Sequence, residues 1–313
     1  MAVQRSVAIL GAGMAGATAA RRLAEAGLRV HVFDKGRGVG GRMATRRAAD
    51  MQFDHGAQFM RAHGSAFAVR LDDWVRRGVA SPWAGSGRHV GVPGMTAPVR
   101  DLLAGLPVAS ATTVTRILQD GFDWRVEDAT GAVHGPFDAV AITIPAPQAQ
   151  VLLETSGLTL PGVAQARYAP CWSLMLAVAQ APVAPLIELR NDPIGLIAHD
   201  SAKPGRPDGV RLTVHATPGW SRDHLEEPRD AIVAALVEAA GQRLGFKLQP
   251  TFAEAHRWRY AQVETALGVP CLYDPALRLG AAGDWCLGAR IEAAHNSGLA
   301  LAEAILSGSG AGA

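Results

Sequence analysis

A glycine-rich turn near the start of the chain constrains the fold more than any other feature. Gly11, Gly13 and Gly16 follow an apolar run at residues 7–10 and precede a helix-like segment that ends at Gly27. The first glycine allows the tight turn, the second lets backbone approach a pyrophosphate, and the third lets the helix pack on the strand. The helix N-terminus then offers unpaired N–H groups and partial positive charge to phosphates. The sequence therefore predicts a βαβ unit that binds a dinucleotide.

An acidic residue completes this pattern. Residues 30–33 have the apolar character of the next buried strand, and Asp34 stands at its carboxyl end. A carboxylate in that place accepts hydrogen bonds from the ribose hydroxyls of an adenosine and argues against a 2′-phosphate on the same cofactor.

Two further regions favour FAD over NAD as that cofactor. In a Gly/Arg loop at residues 36–47, the glycines allow the backbone to approach a phosphate group closely, and Arg42 is suited to neutralise a diphosphate. The alternative is a flexible, solvated basic loop. Near the other end, Asp284 follows Gly283 and precedes a last helix that starts near Glu292. A second helix N-terminus would stabilise negative charge on a reduced flavin, and Asp284 could accept bonds from ribityl hydroxyls.

The two ends of the chain thus contribute to one nucleotide site, with a β-rich insert between them. We predict an α/β fold in which a Rossmann-type FAD-binding domain carries an inserted mixed-sheet α+β substrate domain. The FAD-binding domain is expected to comprise residues 1–62, 95–150 and 268–313. Residues 63–94 and 151–267 are expected to form the substrate domain.

Composition excludes several other classes. The net charge is only +2 and no Lys/Arg stripe is present, so a nucleic-acid partner is not expected. Three widely separated cysteines disfavour a metal site and a disulfide framework, and they fit a reducing compartment. The apolar stretch at residues 6–20 is too short to cross a bilayer. We therefore expect a cytoplasmic protein without a metal and without a membrane partner.

Longer stretches resemble one known family, the renalase group of FAD-dependent, amine-oxidase-like flavoproteins. The closest match is Gly283-Asp284-Trp285-Cys286-Leu287, followed by Gly288-Ala289-Arg290-Ile291-Glu292-Ala293. The other matching stretches, in the same order along nearly the whole chain, are residues 34–47, 56–59, 93–95, 145–148, 203–206, 212–216 and 256–258.

This resemblance implies a fold like that of p-hydroxybenzoate hydroxylase and a non-covalent FAD. It also implies oxidation of the 2- and 6-dihydro isomers of NAD(P)H, with O2 as acceptor and H2O2 as product. The cofactor-binding residues that follow from the motifs and the resemblance together are Gly11, Ala12, Gly13, Met14, Ala15, Gly16, Asp34, Lys35, Gly41, Arg42, Gly56, Ala57, Gln58, Val114, Gly283, Asp284, Ile291, Glu292 and Ala293.

No acid or base is required if the hydride donor is a dihydropyridine, so the protein has only to orient the donor and exclude water. Alternation along residues 256–260 places His256, Trp258 and Tyr260 on one strand face, which could stack a flat ring, although a core aromatic face explains them as well. The further substrate-wall candidates are Gln58, Trp172 and His215, although a core position is favoured for Trp172 and a structural role for His215. Residues 200–208, rich in Pro, Gly and charge, are either a lid or a solvated turn, and the turn is favoured.

Other functions remain open on the sequence alone. An amine oxidase or a desaturase of a small metabolite would use the same aromatic residues. A flavin-binding module without turnover and an NAD-only dehydrogenase are further alternatives.

Overall fold

The computed structural model describes residues 4–179, 184–191 and 193–308. Its α-helices within those residues are α1 (Met14–Glu25), α2 (Ser65–Arg76), α3 (Ala97–Leu103), α4 (Ala146–Thr155), α5 (Pro218–Asp223), α6 (Arg229–Leu244), α7 (Asp284–Leu287) and α8 (Ile291–Ser307). Short 3-10 turns cover Gly41–Met43, Val163–Gln165 and Asp200–Ala202. None of the helices in the described ranges has the length and apolarity that crossing a membrane requires.

The strands are β1 (Ser6–Leu10), β2 (Arg29–Phe33), β3 (Arg46–Ala48), β4 (Met51–Phe53), β5 (Ala80–Pro82), β6 (His89–Gly91), β7 (Val108–Ala109), β8 (Val114–Asp120), β9 (Asp123–Asp128), β10 (Val133–Phe137), β11 (Ala139–Ile142), β12 (Arg167–Val178), β13 (Leu186–Asn191), β14 (Ile194–His199), β15 (Val210–Ala216), β16 (Pro250–Thr265), β17 (Leu272–Asp274) and β18 (Leu279–Ala281).

A six-stranded sheet forms the nucleotide-binding half, in the order β17-β18-β11-β1-β2-β7. Its strands are parallel apart from the β17–β18 pair. The central strand β1 is buried on both faces: Val7 and Ile9 face the core shared with α1 and α8, whereas Ala8 and Leu10 face the core shared with α4. This explains why β1 is a continuous apolar run rather than an alternating one. The predicted Rossmann-type α/β fold is confirmed.

A five-stranded antiparallel sheet forms the other half, in the order β13-β14-β15-β12-β16. One face packs on α6, where Leu174 and Leu176 of β12 meet Ile232 and Leu236. The opposite face looks toward the nucleotide-binding half. Strands β12 and β16 pair along almost their whole length, from Arg167 opposite Thr265 to Val178 opposite Pro250, and so run from one half of the molecule into the other.

Three expectations about elements differ from the structure. The amphipathic pattern of residues 222–243 predicts one helix, but the structure has α5 and α6 there, because Pro228 directly precedes α6 and disfavours helical backbone at the residue before it. The strand predicted over residues 256–260 extends from Pro250 to Thr265, because β12 supplies hydrogen-bonding partners along that length.

The third difference is in the domain boundary. Residues 63–94 are predicted to belong to the substrate domain, yet the buried face of α2, with Phe67, Leu71 and Trp74, packs in the same core as α1 and α8. The physical reason is the apolar stripe of α2, which needs a partner and finds it on the helices of the nucleotide-binding half. In the structure α2 of this segment therefore packs on the helices of the nucleotide-binding half.

Candidate functional site

A large cavity lies between the two halves of the molecule. Its volume is about 2310 Å³, and both the parallel sheet and the cavity-facing side of the antiparallel sheet line it. Sites for a single small ligand usually measure about 300–1,000 Å³. The cavity therefore has room for a dinucleotide-sized cofactor and a second ligand beside it.

The glycine-rich turn shapes one end of this cavity. Gly13 lines it, and a Cβ built on Gly13 would meet no atom within 4 Å, so open space adjoins this backbone at the start of α1. A Cβ on Gly16 would lie only 1.9 Å from the carbonyl oxygen of Gly11, which shows how closely helix and turn pack. The helix N-terminus and the clear space at Gly13 fit a pyrophosphate.

Asp34 lies in the cavity wall and braces the turn. Its Oδ2 accepts a hydrogen bond from the N–H of Ala12 at 2.6 Å, and its Oδ1 accepts one from the N–H of Gly36 at 2.7 Å. Each carboxylate oxygen keeps a second lone pair. The geometry is therefore compatible with the predicted contact to ribose hydroxyls, in addition to a bracing role that the sequence did not indicate.

Arg42 and Asp284 join the two ends of the chain across the cavity. The guanidinium donates two bonds of 2.7 Å to the two carboxylate oxygens, a bidentate pairing. Arg42 also lies 5.7 Å from the ring centre of Tyr168, a neighbour that sequence reasoning missed. The sequence predicts separate contacts, from Arg42 to the diphosphate and from Asp284 to ribityl hydroxyls. In the structure the two side chains bind each other instead, and each neutralises the charge of the other.

The structure brings most of the predicted cofactor residues to the cavity wall. Those that line it are Gly11, Gly13, Met14, Ala15, Asp34, Lys35, Gly41, Arg42, Gly56, Ala57, Gln58, Val114, Gly283, Asp284 and Ile291.

Four predicted cofactor residues lie behind that wall. Ala12 and Gly16 are enclosed by the turn and by α1. Ala293 is buried in α8, and the carboxylate of Glu292 accepts bonds from the backbone N–H groups of His63 and Gly64 at 2.9 and 2.7 Å. Glu292 therefore holds the loop before α2, which explains its burial without a direct contact to a ligand.

On the opposite wall, β16 contributes a row of side chains. His256, Trp258 and Tyr260 all line the cavity, and so do Arg257 and Arg259, which alternation alone would place on the other face. The rings of His256 and Trp258 have centres 4.4 Å apart, and Tyr260 packs against Tyr168 at 5.8 Å. Both ring pairs meet edge to face, with interplanar angles of 65° and 66°, and together they form an aromatic surface on this wall of the cavity.

His55 belongs to this wall, although no sequence motif indicates a role for it. Its ring centre lies 4.9 Å from that of His256 and 5.1 Å from that of Trp258, and its carbonyl oxygen accepts a bond of 2.9 Å from Trp258 Nε1. Burial, together with the nearby His256 and Arg46, lowers the pKa of His55 to about 3. Burial also lowers the pKa of His256, with Arg46 and Arg229 acting in the same direction.

Trp172 is a correction to the predicted substrate wall. It lies on the other face of β12, in the core under α6, with 1% of its surface exposed. Its backbone N–H donates to Ser221 Oγ and its Nε1 donates to the carbonyl of His224, both at 3.0 Å. Because side chains alternate along a strand, it points away from the cavity that its neighbour Cys171 lines.

Gln58 and His215 meet at the inner edge of the cavity. Gln58 Nε2 lies 3.4 Å from His215 Nε2 and donates to the backbone carbonyls of Asp54 and Gly56. Burial, reinforced by Lys203, lowers the pKa of His215 to about 4. At neutral pH both His55 and His215 are therefore uncharged, and this side of the cavity has no protonated imidazole.

A fully buried charge cluster lies directly behind Gln58. Lys203 Nζ donates to Asp200 Oδ1 at 2.6 Å, to Asp54 Oδ2 at 3.2 Å and to Gln58 Oε1 at 2.8 Å. Arg206 adds a bond of 2.6 Å to Asp54 Oδ2. Burial alone would raise the pKa of Asp54, but Lys203 and Arg206 reverse this and lower it to about 2.

This cluster corrects the expectation for residues 200–208. The favoured solvated turn is wrong for three of its four charged residues, because the side chains of Asp200, Lys203 and Arg206 are at most 1% exposed, whereas Asp208 is exposed. Burying several charges requires good pairing, and their partner Asp54 lies just after β4, about 150 positions earlier in the sequence. A local composition argument could not identify that partner.

The cavity is strongly basic. Among the described residues that line it, eleven are lysines or arginines and three carry carboxylates, a formal charge of +8 in a chain whose total is +2. The carboxylates are Asp34, Asp284 and Glu188, and Glu188 pairs with Arg88. Glu226 and Glu254, outside the lining, offset part of this charge through ion pairs with lining arginines. The remaining positive charge still exceeds the negative charge of one dinucleotide diphosphate.

Comparisons with known proteins agree with this geometry. Residues 9–72 match the NAD(P)-binding Rossmann-like domain, and residues 75–306 match the family described as Flavin containing amine oxidoreductase. A solved structure from Exiguobacterium sp. 255-15, named "Putative protoporphyrinogen oxidase", superposes with a TM-score of 0.72 over 96% of this chain and 98% of its own. The two sequences are 13% identical, so that likeness concerns the fold.

FAD fits the residues present. The backbone at Gly13 leaves space for a pyrophosphate, Asp34 lines the cavity beside that turn, and the volume exceeds what one small ligand would need. The second family match covers well over half of the chain. The chain therefore belongs to the flavin-containing amine oxidoreductase family and is an oxidoreductase whose cofactor is FAD.

Proposed function

We propose that this protein is an oxidase of the 2- and 6-dihydro isomers of NAD(P)H, with non-covalently bound FAD as cofactor and O2 as electron acceptor. When bound, FAD would supply the hydride acceptor, its flavin N5, for the dihydropyridine ring. It would also supply the route by which the electrons pass to O2 and give H2O2. The observation that carries the proposal is the excess of positive charge around the cavity, beyond what the FAD diphosphate neutralises.

The basic groups on the substrate side support an anionic substrate. Arg46, Arg229, Arg257 and Arg259 all line the cavity beside β16. Arg257 and Arg259 share one carboxylate, that of Glu226, so this trio keeps a net positive charge. A nucleotide carries phosphates that these groups attract, whereas an ammonium substrate would be repelled.

The aromatic wall supports a flat, neutral reacting ring. His55, His256 and Trp258 pack against one another, and the depressed pKa values of both histidines keep them uncharged at neutral pH. A dihydropyridine gives up a hydride without proton transfer, so a wall without an ionised acid or base is sufficient. The residues would act by holding the ring near the flavin and by excluding water.

The residues proposed to hold the FAD are those of the glycine-rich turn, Asp34 and the Arg42–Asp284 pair. Because no covalent link is proposed, denaturation should release all of the flavin into solution. Flavin that stays with the precipitated protein would contradict this part of the proposal.

The function is tested by rapid mixing under anaerobic conditions. Partially reduced NAD(P)+ mixtures, which contain all dihydro isomers, should bleach the visible absorbance of the oxidised flavin within seconds, and O2 should restore it with release of H2O2. A panel of primary and secondary amines should leave the absorbance unchanged. Dithionite serves as a positive control for a reducible flavin.

Two results would decide against the proposal. Bleaching by an amine and by no dihydropyridine would favour an amine oxidase, the alternative with which the family match is equally compatible. Bleaching by dithionite alone would favour a flavin-binding module without turnover.

A further inference from the structure

The buried charge cluster of Asp54, Asp200, Lys203 and Arg206 is the part of the structure that the proposed reaction does not use. None of these four side chains lines the cavity. Two hydrogen bonds nevertheless lead from the cluster to residues of the cavity wall: Lys203 Nζ donates to Gln58 Oε1 at 2.8 Å, and Asp54 Oδ1 accepts a bond of 2.8 Å from Thr45 Oγ1. The bond to Gln58 is the one that leads toward His215 and the aromatic wall.

Lys203 fixes which way round the Gln58 amide lies. An ammonium group has donors only, so the group that faces it must be the amide oxygen. The amide nitrogen then faces the carbonyl oxygens of Asp54 and Gly56, which are acceptors only. A flipped amide would place donor against donor and acceptor against acceptor in a buried site. The ammonium group on one side and the two carbonyl oxygens on the other therefore assign the orientation of the Gln58 amide.

The orientation of Gln58 in turn constrains His215. Its Nε2 lies 3.4 Å from an NH2 group, which cannot accept a hydrogen bond, so a proton on Nε2 would have no acceptor there. The ring also interacts with the backbone carbonyl of His55, an acceptor for an imidazole N–H. A neutral imidazole whose Nε2 is bare carries its proton on Nδ1. That same carbonyl accepts the indole N–H of Trp258.

The charged and titratable groups around His215 agree with a neutral ring. Lys203 lies behind it, and His55, across the cavity edge, is itself uncharged at neutral pH. On the neighbouring strand β12, burial raises the pKa of the Cys171 thiol to about 12, so no thiolate is present. None of these groups carries a negative charge that would favour an imidazolium.

We propose that Lys203 is a positioning residue: it fixes the Gln58 amide and through it holds His215 as a neutral imidazole protonated on Nδ1. The same chain of contacts, from Lys203 through Gln58 and His215 to the His55 carbonyl, sets the position of Trp258 in the substrate wall. The importance of the Trp258 position for the reaction rests on the proposed function. The orientation of Gln58 and the tautomer of His215 do not depend on it.

The test is nitrogen NMR of the FAD-loaded protein labelled in its histidine side chains, with His215 assigned from the spectrum of His215→Gln. In the wild type we expect a bare Nε2, a protonated Nδ1 and no titration between pH ~5 and ~8. In Lys203→Met the pKa of His215 should rise by about one unit or more, because a nearby cation is lost, and the two tautomers should mix.

Arg206→Met is the matched control. It removes one cation from the same buried cluster and from the same Asp54 carboxylate, but Arg206 does not contact Gln58. We expect a loss of thermal stability similar to that of Lys203→Met, with His215 signals like those of the wild type. If both variants change His215 equally, Lys203 has only a structural role and the proposal is overturned.

Gln58→Leu keeps the proposal testable if Lys203→Met does not fold. This change leaves the pairs of Lys203 with Asp54 and Asp200 in place, so only the tautomer preference of His215 should be lost while its pKa stays low. Wild-type protein with the proton on Nε2, or Gln58→Leu with an unchanged tautomer, would contradict the inference.

A kinetic measurement links the inference to the reaction. The rate of flavin reduction by a dihydropyridine should be independent of pH above ~5 in the wild type but should fall on acidification in Lys203→Met. If the wild type does not react with any dihydropyridine, the proposed function fails, and the NMR result still decides the role of Lys203.

Discussion

At the scale of single residues, the two glycines that surround the first turn of α1 have different roles. The backbone of Gly13 faces open space in the cavity, whereas Gly16 faces the carbonyl oxygen of Gly11. A methyl group added at Gly13 would therefore enter the cofactor site, whereas one added at Gly16 would clash with the backbone of the turn.

We expect Gly13→Ala to fold with nearly wild-type stability but to lose most of its affinity for FAD, because the new methyl group occupies the path of the pyrophosphate. Gly16→Ala should lose stability as well, since its Cβ would lie 1.9 Å from a backbone oxygen. Thermal melting of the apoproteins and titration with FAD measure the two effects. Equal melting temperatures for both variants would contradict this account.

The buried histidines predict how stability depends on pH. His55 and His215 have folded pKa values of about 3 and 4, below the ordinary value of ~6.5. The unfolded chain then binds protons that the folded protein does not, so stability is highest above pH ~6.5 and falls as the pH drops toward 4. Asp54, with a pKa of about 2, adds its loss only in more acidic solution.

Each neutral histidine should contribute a slope of about 1.4 kcal/mol per pH unit in that window. Chemical denaturation between pH 7 and 4.5 measures the slope, and the double variant His55→Gln/His215→Gln should flatten it. A wild-type stability that is constant over this range would show that the two histidines titrate normally.

At the scale of elements, α1 and α8 determine whether the two ends of the chain form one site. Gly298 in the middle of α8 lies against Ala15 of α1, so closely that a Cβ would be 2.1 Å from the Ala15 oxygen. Both helices begin at the cavity, where Met14 and Ile291 line it. Their close packing therefore fixes the distance between the two helix N-termini.

Gly298→Ala should force these helices apart, cost about 1–3 kcal/mol of stability and weaken FAD binding. Gly219→Ala, in α5, is the matched control, because nothing lies within 4 Å of the added methyl group, and it should be neutral or slightly stabilising. Denaturation and FAD titration of both variants test this. Wild-type behaviour of Gly298→Ala would mean that α8 can shift at little cost.

Elements were predictable from sequence where the signal is local. The turn after β1, the acid after β2 and the alternation at residues 256–260 each depend on neighbours in the chain. The division of α5 from α6 was also readable, from Pro228, but was not predicted. Contacts such as His55 with Trp258, or Lys203 with Asp54, join residues about 150 to 200 positions apart, and no local pattern encodes them.

At the scale of the whole molecule, charge is distributed unevenly. The cavity lining holds a formal +8, so the remainder of the chain is net negative although the total is +2. A cleft with one sign of charge concentrates ligands of the opposite sign and does so most strongly at low ionic strength.

We expect Arg229→Glu to raise the KM for the nucleotide substrate roughly three- to tenfold at low salt and much less at high salt. Lys247→Glu makes the same change in total charge on an exposed residue outside the cavity lining, and should have no effect. Steady-state kinetics at several salt concentrations compare the two. Equal effects of both variants would show that only overall charge matters.

The long pairing of β12 with β16 has a practical consequence. The aromatic residues of β16 that line the cavity stand at every second position, and the strand is held by backbone bonds to β12 along most of its length. Positions 256, 258 and 260 could therefore be randomised together in a directed-evolution library while the flavin half stays intact. New donor preferences should be obtainable there without redesign of the cofactor site.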